Sequence, residues 1–132
     1  MPASDAAHLH LIRVRYADTD QMGVAHHAAY VVWCEEARIA WLRNRGILYR
    51  DLEISGTLMP VIDLQIGYKR SVRFDDELHL LTTATVLGPT RMQFTTIIQF
   101  ADQICAEAQV TVAAVDRSGR PCRLPASIRQ QP

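Results

Sequence analysis

The chain has 132 residues, of which 48% are hydrophobic and 21% charged, the balance of one globular domain able to bury a core without disulfide staples. Lysine plus arginine and aspartate plus glutamate number 14 each, so the basic excess of a dedicated nucleic-acid binder is missing. Cys34, Cys105 and Cys122 form no CxxC pair, which points away from a zinc site or a disulfide framework and toward a reducing compartment. With no basic-then-apolar leader and no apolar run of about 20 residues, the expected setting is cytoplasmic, with no membrane insertion.

Residues 1–8 read as a loose leader. Leu9 to Tyr16 roughly alternates in polarity and predicts a first strand. The run Ala17-Asp18-Thr19-Asp20-Gln21-Met22-Gly23 has the short polar residues and glycine of a loop. A helix follows over about His26 to Arg45, with Tyr30, Trp33, Cys34, Ala37 and Trp41 recurring at helical intervals on one buried face. Arg43 and Arg45 suit the negative end of that helix, and Gly46 suits a left-handed cap. A connecting segment runs to Ser55-Gly56. After Pro60 the chain reads as strands: Val61–Val72, Leu78–Leu87, Met92–Phe100 and Ile104–Val115. Turn residues separate them, and Asp116-Arg117-Ser118-Gly119-Arg120-Pro121 closes the last.

The predicted order is therefore strand, long helix, then four strands in a meander of hairpins. One long helix is available to cover the dry face of an antiparallel sheet. The expected architecture is α+β, a single domain over residues 1–132 with the sheet wrapped on a central helix. Open sheet edges favour pairing with a second copy, so a homo-oligomer is expected.

The chemistry concentrates in Asp18-Thr19-Asp20-Gln21-Met22-Gly23-Val24-Ala25-His26-His27-Ala28-Ala29-Tyr30. It sets a carboxylate just before a helix N-terminus, whose free N–H groups attract an oxyanion. Gly23 lets a ligand approach the backbone. A carbonyl oxygen held at the helix start beside a carboxylate is an acyl-transfer geometry. The same residue types also serve as a plain cap and turn.

The run from Arg13 to Tyr30 resembles the signature Tyr-x-Asp-Thr-Asp-x-x-Gly-Val-x-x-His-x-x-Tyr of the 4-hydroxybenzoyl-CoA thioesterase family, particularly its YbgC-like acyl-CoA thioesterases. Tyr16, Asp18, Thr19, Asp20, Gly23, Val24, His27 and Tyr30 fill its fixed positions. Glu35 and Ala37-Arg38 continue the match on the helix, and weaker similarity runs through Tyr68–Leu78, Gly88–Phe94 and Arg123-Leu124-Pro125. The resemblance implies the hotdog fold, a helix wrapped by a curved antiparallel sheet, and hydrolysis of an acyl-CoA to acid and CoA. It implies Asp20 as nucleophile or general base, and the backbone N–H of His27 as the group that polarises the thioester carbonyl. It further implies a site lying between the subunits of a homodimer or homotetramer. No metal or organic cofactor is implied, coenzyme A being part of the substrate. The segment Tyr68-Lys69-Arg70-Ser71-Val72-Arg73 lacks the Pro-Ala pair common after the tyrosine in relatives, which bears on the local strand bend.

Other residues are weighed beside these. Glu35 is either a helical carboxylate of the site or a partner of Arg38. His26 and His27 point about 100° apart on a helix and do not chelate one ion. Lys69, Arg70, Arg73 and Arg91 are candidates for the CoA phosphates, and Tyr30 for lining the pocket. Two other classes stay open: a hotdog hydratase or dehydratase using a histidine–carboxylate pair, and a non-catalytic acyl-CoA binding protein.

Overall fold

The computed structural model describes residues 7–129. The leader expected over residues 1–8 lies, up to residue 6, outside the described residues, and His8 already belongs to the first strand. The elements are β1 (His8–Arg13), a 3₁₀ turn (Tyr16–Asp18), α1 (His27–Asn44), α2 (Tyr49–Ser55), β2 (Val61–Tyr68), β3 (Glu77–Val86), β4 (Arg91–Phe100), β5 (Gln103–Ala113) and α3 (Ala126–Arg129).

All strand pairs are antiparallel, and the sheet order is β1-β3-β4-β5-β2. This corrects the expected meander. Strands β3, β4 and β5 do form successive hairpins, the second turning through Ala101 and Asp102 at positive φ. Strand β2, however, lies on the far side of β5. Residues 69–76 therefore carry the chain from one edge of the sheet to the strand next to the other edge. On the way they pass the start of α1, where Val72 O accepts the Ala25 N–H at 2.8 Å and Arg73 bridges Val24.

The predicted helix is present within a residue at either end, and its five expected core positions are all buried. Gly46 has φ 78°, the left-handed conformation that a side chain disfavours and that ends the helix. Tyr30, Trp33, Ala37 and Trp41 face Leu78, Leu80, Phe94, Ile98, Ala106, Ala108 and Val110, each at most 3% exposed. Trp41 meets Phe94 edge-on with ring centroids 5.6 Å apart. The buried hydroxyls of Thr82 and Thr96 satisfy one another at 2.9 Å, as buried polar groups must.

Local chemistry explains where the other boundaries moved. The first strand stops at Arg13 rather than Tyr16 because the Arg15 N–H leaves the ladder for Asp18 Oδ2, 2.9 Å away, and starts the 3₁₀ turn. The extended segment expected to run to Val72 leaves the sheet after Tyr68. Strand β5 carries a bulge there: Ile98 faces Ala106 and Gln99 faces Ile104, so Cys105 is the extra residue. Its carbonyl accepts both the Lys69 N–H (2.8 Å) and the Arg70 N–H (3.1 Å), which bends the chain toward the helix start, as bulges do. The connecting segment before Pro60 contains α2, whose short length hid its periodicity.

The Arg15–Asp18 pair fixes the junction between β1 and α1. Asp18 is 4% exposed, and its carboxylate accepts the backbone N–H, Nε and Nη2 of Arg15 at 2.9, 3.3 and 2.9 Å. Burial alone would raise this carboxyl, but the Arg15 hydrogen bonds and charge outweigh it and hold it below the ordinary aspartate range. A depressed native pKa stabilises the fold above the unfolded-state value and is lost as pH falls through the native one. Asp18→Asn is therefore expected to lower the melting temperature at neutral pH by a few degrees. Its deficit against the wild-type chain should close only below about pH 4. Thermal unfolding followed across that range checks this, and a deficit unchanged at about pH 2 would refute it.

Candidate active site

The loop before α1 is a tight, self-bonded turn. Asp20 N–H donates to Val24 O (2.9 Å) and Gly23 N–H donates to Asp20 O (3.0 Å). Asp20 Oδ1 accepts the Met22 N–H at 2.8 Å and, more weakly, the Val24 N–H at 3.4 Å. Its other carboxyl oxygen has no protein partner among the described residues. Gly23 sits at φ 81°, so a substituent there would be strained, and the Arg73 guanidinium lies 3.5 Å from where its Cβ would stand.

The helix start is anchored on both flanks. His26 N–H donates to Asp18 O at 2.9 Å. His26 is the N-cap, and its Nδ1 accepts the Ala29 N–H at 3.1 Å. The cap is thus an imidazole, unprotonated at Nδ1, rather than the aspartate or threonine that usually serves. His27 and Ala28 open the helix without an i−4 carbonyl inside it, so their N–H groups carry the positive end of the dipole.

A cleft of about 450 Å³ lies against this turn, lined by Asp20, Met22, Val24, Ala25, His26, His27, Tyr30, Tyr68, Lys69, Arg70 and Ser71. Asp20, His27, Tyr30, Lys69 and Arg70 were the sequence candidates among these, and the fold brings them together. Gly23 and Arg73 stand at its edge. Tyr68, Met22 and Ser71 were not singled out. Tyr68 closes β2 immediately before the basic run and opens the stretch Tyr68–Leu78 that is similar to relatives, the two signals that pointed to it. Its hydroxyl donates to His27 O at 3.2 Å, and its ring packs against His27 (4.7 Å) and Tyr30 (4.9 Å). Burial raises the phenol pKa of both tyrosines, so both keep their protons at neutral pH.

The charges are unequal around the cleft. Lys69 has only a long 4.0 Å contact to Glu107, and Arg70 and Arg73 form no ion pair among the described residues. One carboxylate thus faces several cations and a helix N-terminus, a site suited to an anionic substrate with an electrophilic carbonyl.

Two candidates lie elsewhere in the single chain. Glu35 is on the outer side of α1, 3.8 Å from Arg38 Nη2, the pairing weighed from sequence. It borders a separate hollow of about 130 Å³ with Val31, Val61, Leu64 and Val110. Arg91 opens β4 opposite Ala113, at the other end of the sheet from the Ile98–Ala106–Tyr68 row. At about 3.3 Å per residue the seven positions from Arg91 to Ile98 put it roughly 23 Å away along the strand. Helical and strand spacing show which face a residue occupies, not which end of the sheet meets the cleft. Among the described residues, no three His, Cys, Asp or Glu side chains converge to hold a metal ion, and no helix is long and apolar enough to cross a membrane.

Residues 14–131 match the family model described as the thioesterase-like superfamily. The chain is 34% identical over 119 residues, 89% of each chain, to the acyl-CoA thioester hydrolase YbgC of Escherichia coli O6:H1. It is 48% identical over 65 residues to YneP of Bacillus subtilis, an alignment spanning about half of each protein, 49% of this chain and 47% of that one. Among solved structures, the DHNA-CoA thioesterase from Staphylococcus aureus superposes with a TM-score of 0.86 at 28% identity, over 89% of this chain and 80% of that one. A family match over almost the whole described chain, together with a five-stranded antiparallel sheet wrapped on one long helix, identifies this protein as a hotdog-fold member of the thioesterase-like superfamily.

Proposed function

We propose that this protein hydrolyses an acyl-CoA thioester to a carboxylic acid and free CoA, with Asp20 as the reacting carboxylate. The observation that carries the reading is the free carboxyl oxygen of Asp20 in a cationic cleft at the first turn of α1. YbgC, named as an acyl-CoA thioester hydrolase, supports the substrate class. The thioester oxygen would sit off the helix start, where the His27 N–H stabilises the negative charge that develops on it. Asp20 then either attacks the carbonyl carbon or takes a proton from the attacking water. On either route the C–S bond breaks, the sulfur leaves as the CoA thiol, and water supplies the oxygen of the acid. Lys69 and Arg70 in the cleft lining, with Arg73 at its edge, would hold the phosphates. Tyr30 and Tyr68 wall the acyl side as neutral, protonated rings.

The hydratase alternative requires a histidine paired with a carboxylate. His27 instead packs at a tilt against Tyr68 and makes no ion pair among the described residues, which favours the thioesterase. No step asks for a metal or organic cofactor.

A second copy completes this picture. Strand β2 is an edge strand that leaves Val61, Ile62 and Leu64 exposed, an unprotected edge of the kind that sheets pair or cover. Antiparallel pairing of two such edges about a two-fold axis sets the Val61 end of one copy beside Tyr68 of the other. Glu35 borders the same hollow as Val61, so each copy would bring its Glu35 toward its partner's cleft.

Two outcomes test this. Asp20→Asn should lower kcat in a thiol-release assay by about 10²–10⁴-fold with KM little changed. Because the amide oxygen can still accept the Met22 N–H, the melting temperature should stay within about a degree or two. Hydrolysis at the native rate would overturn the assignment. Leu64→Asp on the open edge should shift the protein to single chains in light scattering and reduce kcat/KM by more than about tenfold. A monomeric variant of full activity would show that the cleft needs no second copy.

A further inference from the structure

An α-helix commonly begins on an aspartate, asparagine, serine or threonine cap, and acidic side chains favour its first turn, where they answer the positive end of the dipole. Helix α1 has neither. Its first turn holds no acidic residue, and its cap is the imidazole of His26. The Ala29 N–H divides between the His26 carbonyl and Nδ1, 3.1 Å from each, so the capping side chain is an uncharged acceptor. The two carboxylates just upstream are held off the helix. That of Asp18 is closed over by Arg15, and Asp18 meets α1 through its carbonyl, which takes the His26 N–H. Asp20 Oδ1 takes the Met22 N–H and, at longer range, that of Val24. The N–H groups of His27 and Ala28 find no backbone acceptor among the described residues, and His26 and His27 both line the cleft.

We infer that His26 is a positioning residue of the reaction, an uncharged cap that fixes the first turn of α1 and leaves its positive end to the negative charge developing on the acyl oxygen. The inference rests on the acyl-CoA reading of the cleft and names what keeps the oxyanion position open. An aspartate at this position would cap the helix as well or better. Its charge, however, would stand about one helical turn, roughly 5 Å, from the oxyanion, repelling it and offsetting the field of the free N–H groups. At that range and an intermediate effective dielectric, like charges cost about a factor of ten in rate. Cap strength and catalytic charge therefore pull in opposite directions at residue 26, and a neutral acceptor satisfies both.

The test compares melting temperature with thiol release from an acyl-CoA in the native chain, His26→Asn, His26→Asp and His26→Ala. Ala28→Glu adds a carboxylate at an exposed position of the same turn with the cap intact, so the comparison survives if His26→Asp does not fold. His26→Ala should melt a few degrees lower, while His26→Asn, a neutral cap, should keep kcat within about threefold of native. His26→Asp should melt no lower than His26→Asn, and Ala28→Glu no lower than the native chain, yet both should turn over about tenfold more slowly. The loss should fall on kcat rather than KM, because the carbonyl oxygen gains its charge only in the transition state. A second arm needs no turnover: titration with acetate, a small carboxylate like the acid released, should move the His27 and Ala28 amide signals in NMR spectra of the native chain and His26→Asn but not of His26→Asp or Ala28→Glu. If the native chain hydrolysed no acyl-CoA but gave that acetate pattern, the function would fail and the role of the cap would stand. Equal kcat in the neutral and acidic variants, or a rate that tracks melting temperature across the series, would overturn the inference. Amide signals that acetate moves alike in every chain, or in none, would do the same.

Discussion

The geometry of the cleft depends on one junction, the point where Asp18 holds the end of the first strand and the start of the long helix at once. Its carboxylate is closed over by Arg15, and its carbonyl takes the N–H of His26. Between those two anchors the chain has room only for the tight turn that carries Asp20. The position of Asp20 is therefore set by backbone hydrogen bonds on both sides rather than by a flexible loop. Such preorganisation is what a site needs if its dipoles are to act without reorganising during the reaction.

The second constraint comes from the opposite side of the sheet. The bulge at Cys105 turns the chain after β2 through two N–H groups donated to one carbonyl, and delivers Lys69 and Arg70 to the mouth of the cleft. Without it, strict alternation would continue along the strand and send these cations to opposite faces. The site is thus assembled where two departures from regular structure meet, the 3₁₀ turn after β1 and the bulge of β5, over the first turn of a regular helix.

How much of this was legible in the sequence follows from the range of the forces involved. The helix, its buried face and its glycine terminus are set by contacts within a few residues, so periodicity and Gly46 revealed them. The loop motif placed Asp20, Gly23 and His27 correctly at the helix start, and Tyr30 one turn on. The crossing of residues 69–76 was not readable, since hairpin chemistry shows which strands are joined by short turns and not which edge a longer connection reaches. The histidine cap was hidden because His26 looks like one half of a histidine pair. Tyr68 was hidden because its role depends on where its strand leaves the sheet. Glu35 was grouped with the site through the resemblance and Arg91 on residue type, and the single chain holds them apart because helix face and strand end are tertiary facts.

The most direct measurement of the central claim is a crystal structure of the Asp20→Asn protein with an unhydrolysed acyl-CoA bound. The account predicts the thioester oxygen within hydrogen-bonding distance, about 2.7–3.1 Å, of the His27 backbone N–H, and the side chain at position 20 facing the carbonyl carbon. A thioester bound with its carbonyl away from the first turn of α1, for instance in the hollow on the outer face of the sheet beside Gly67 and Ile97, would contradict it.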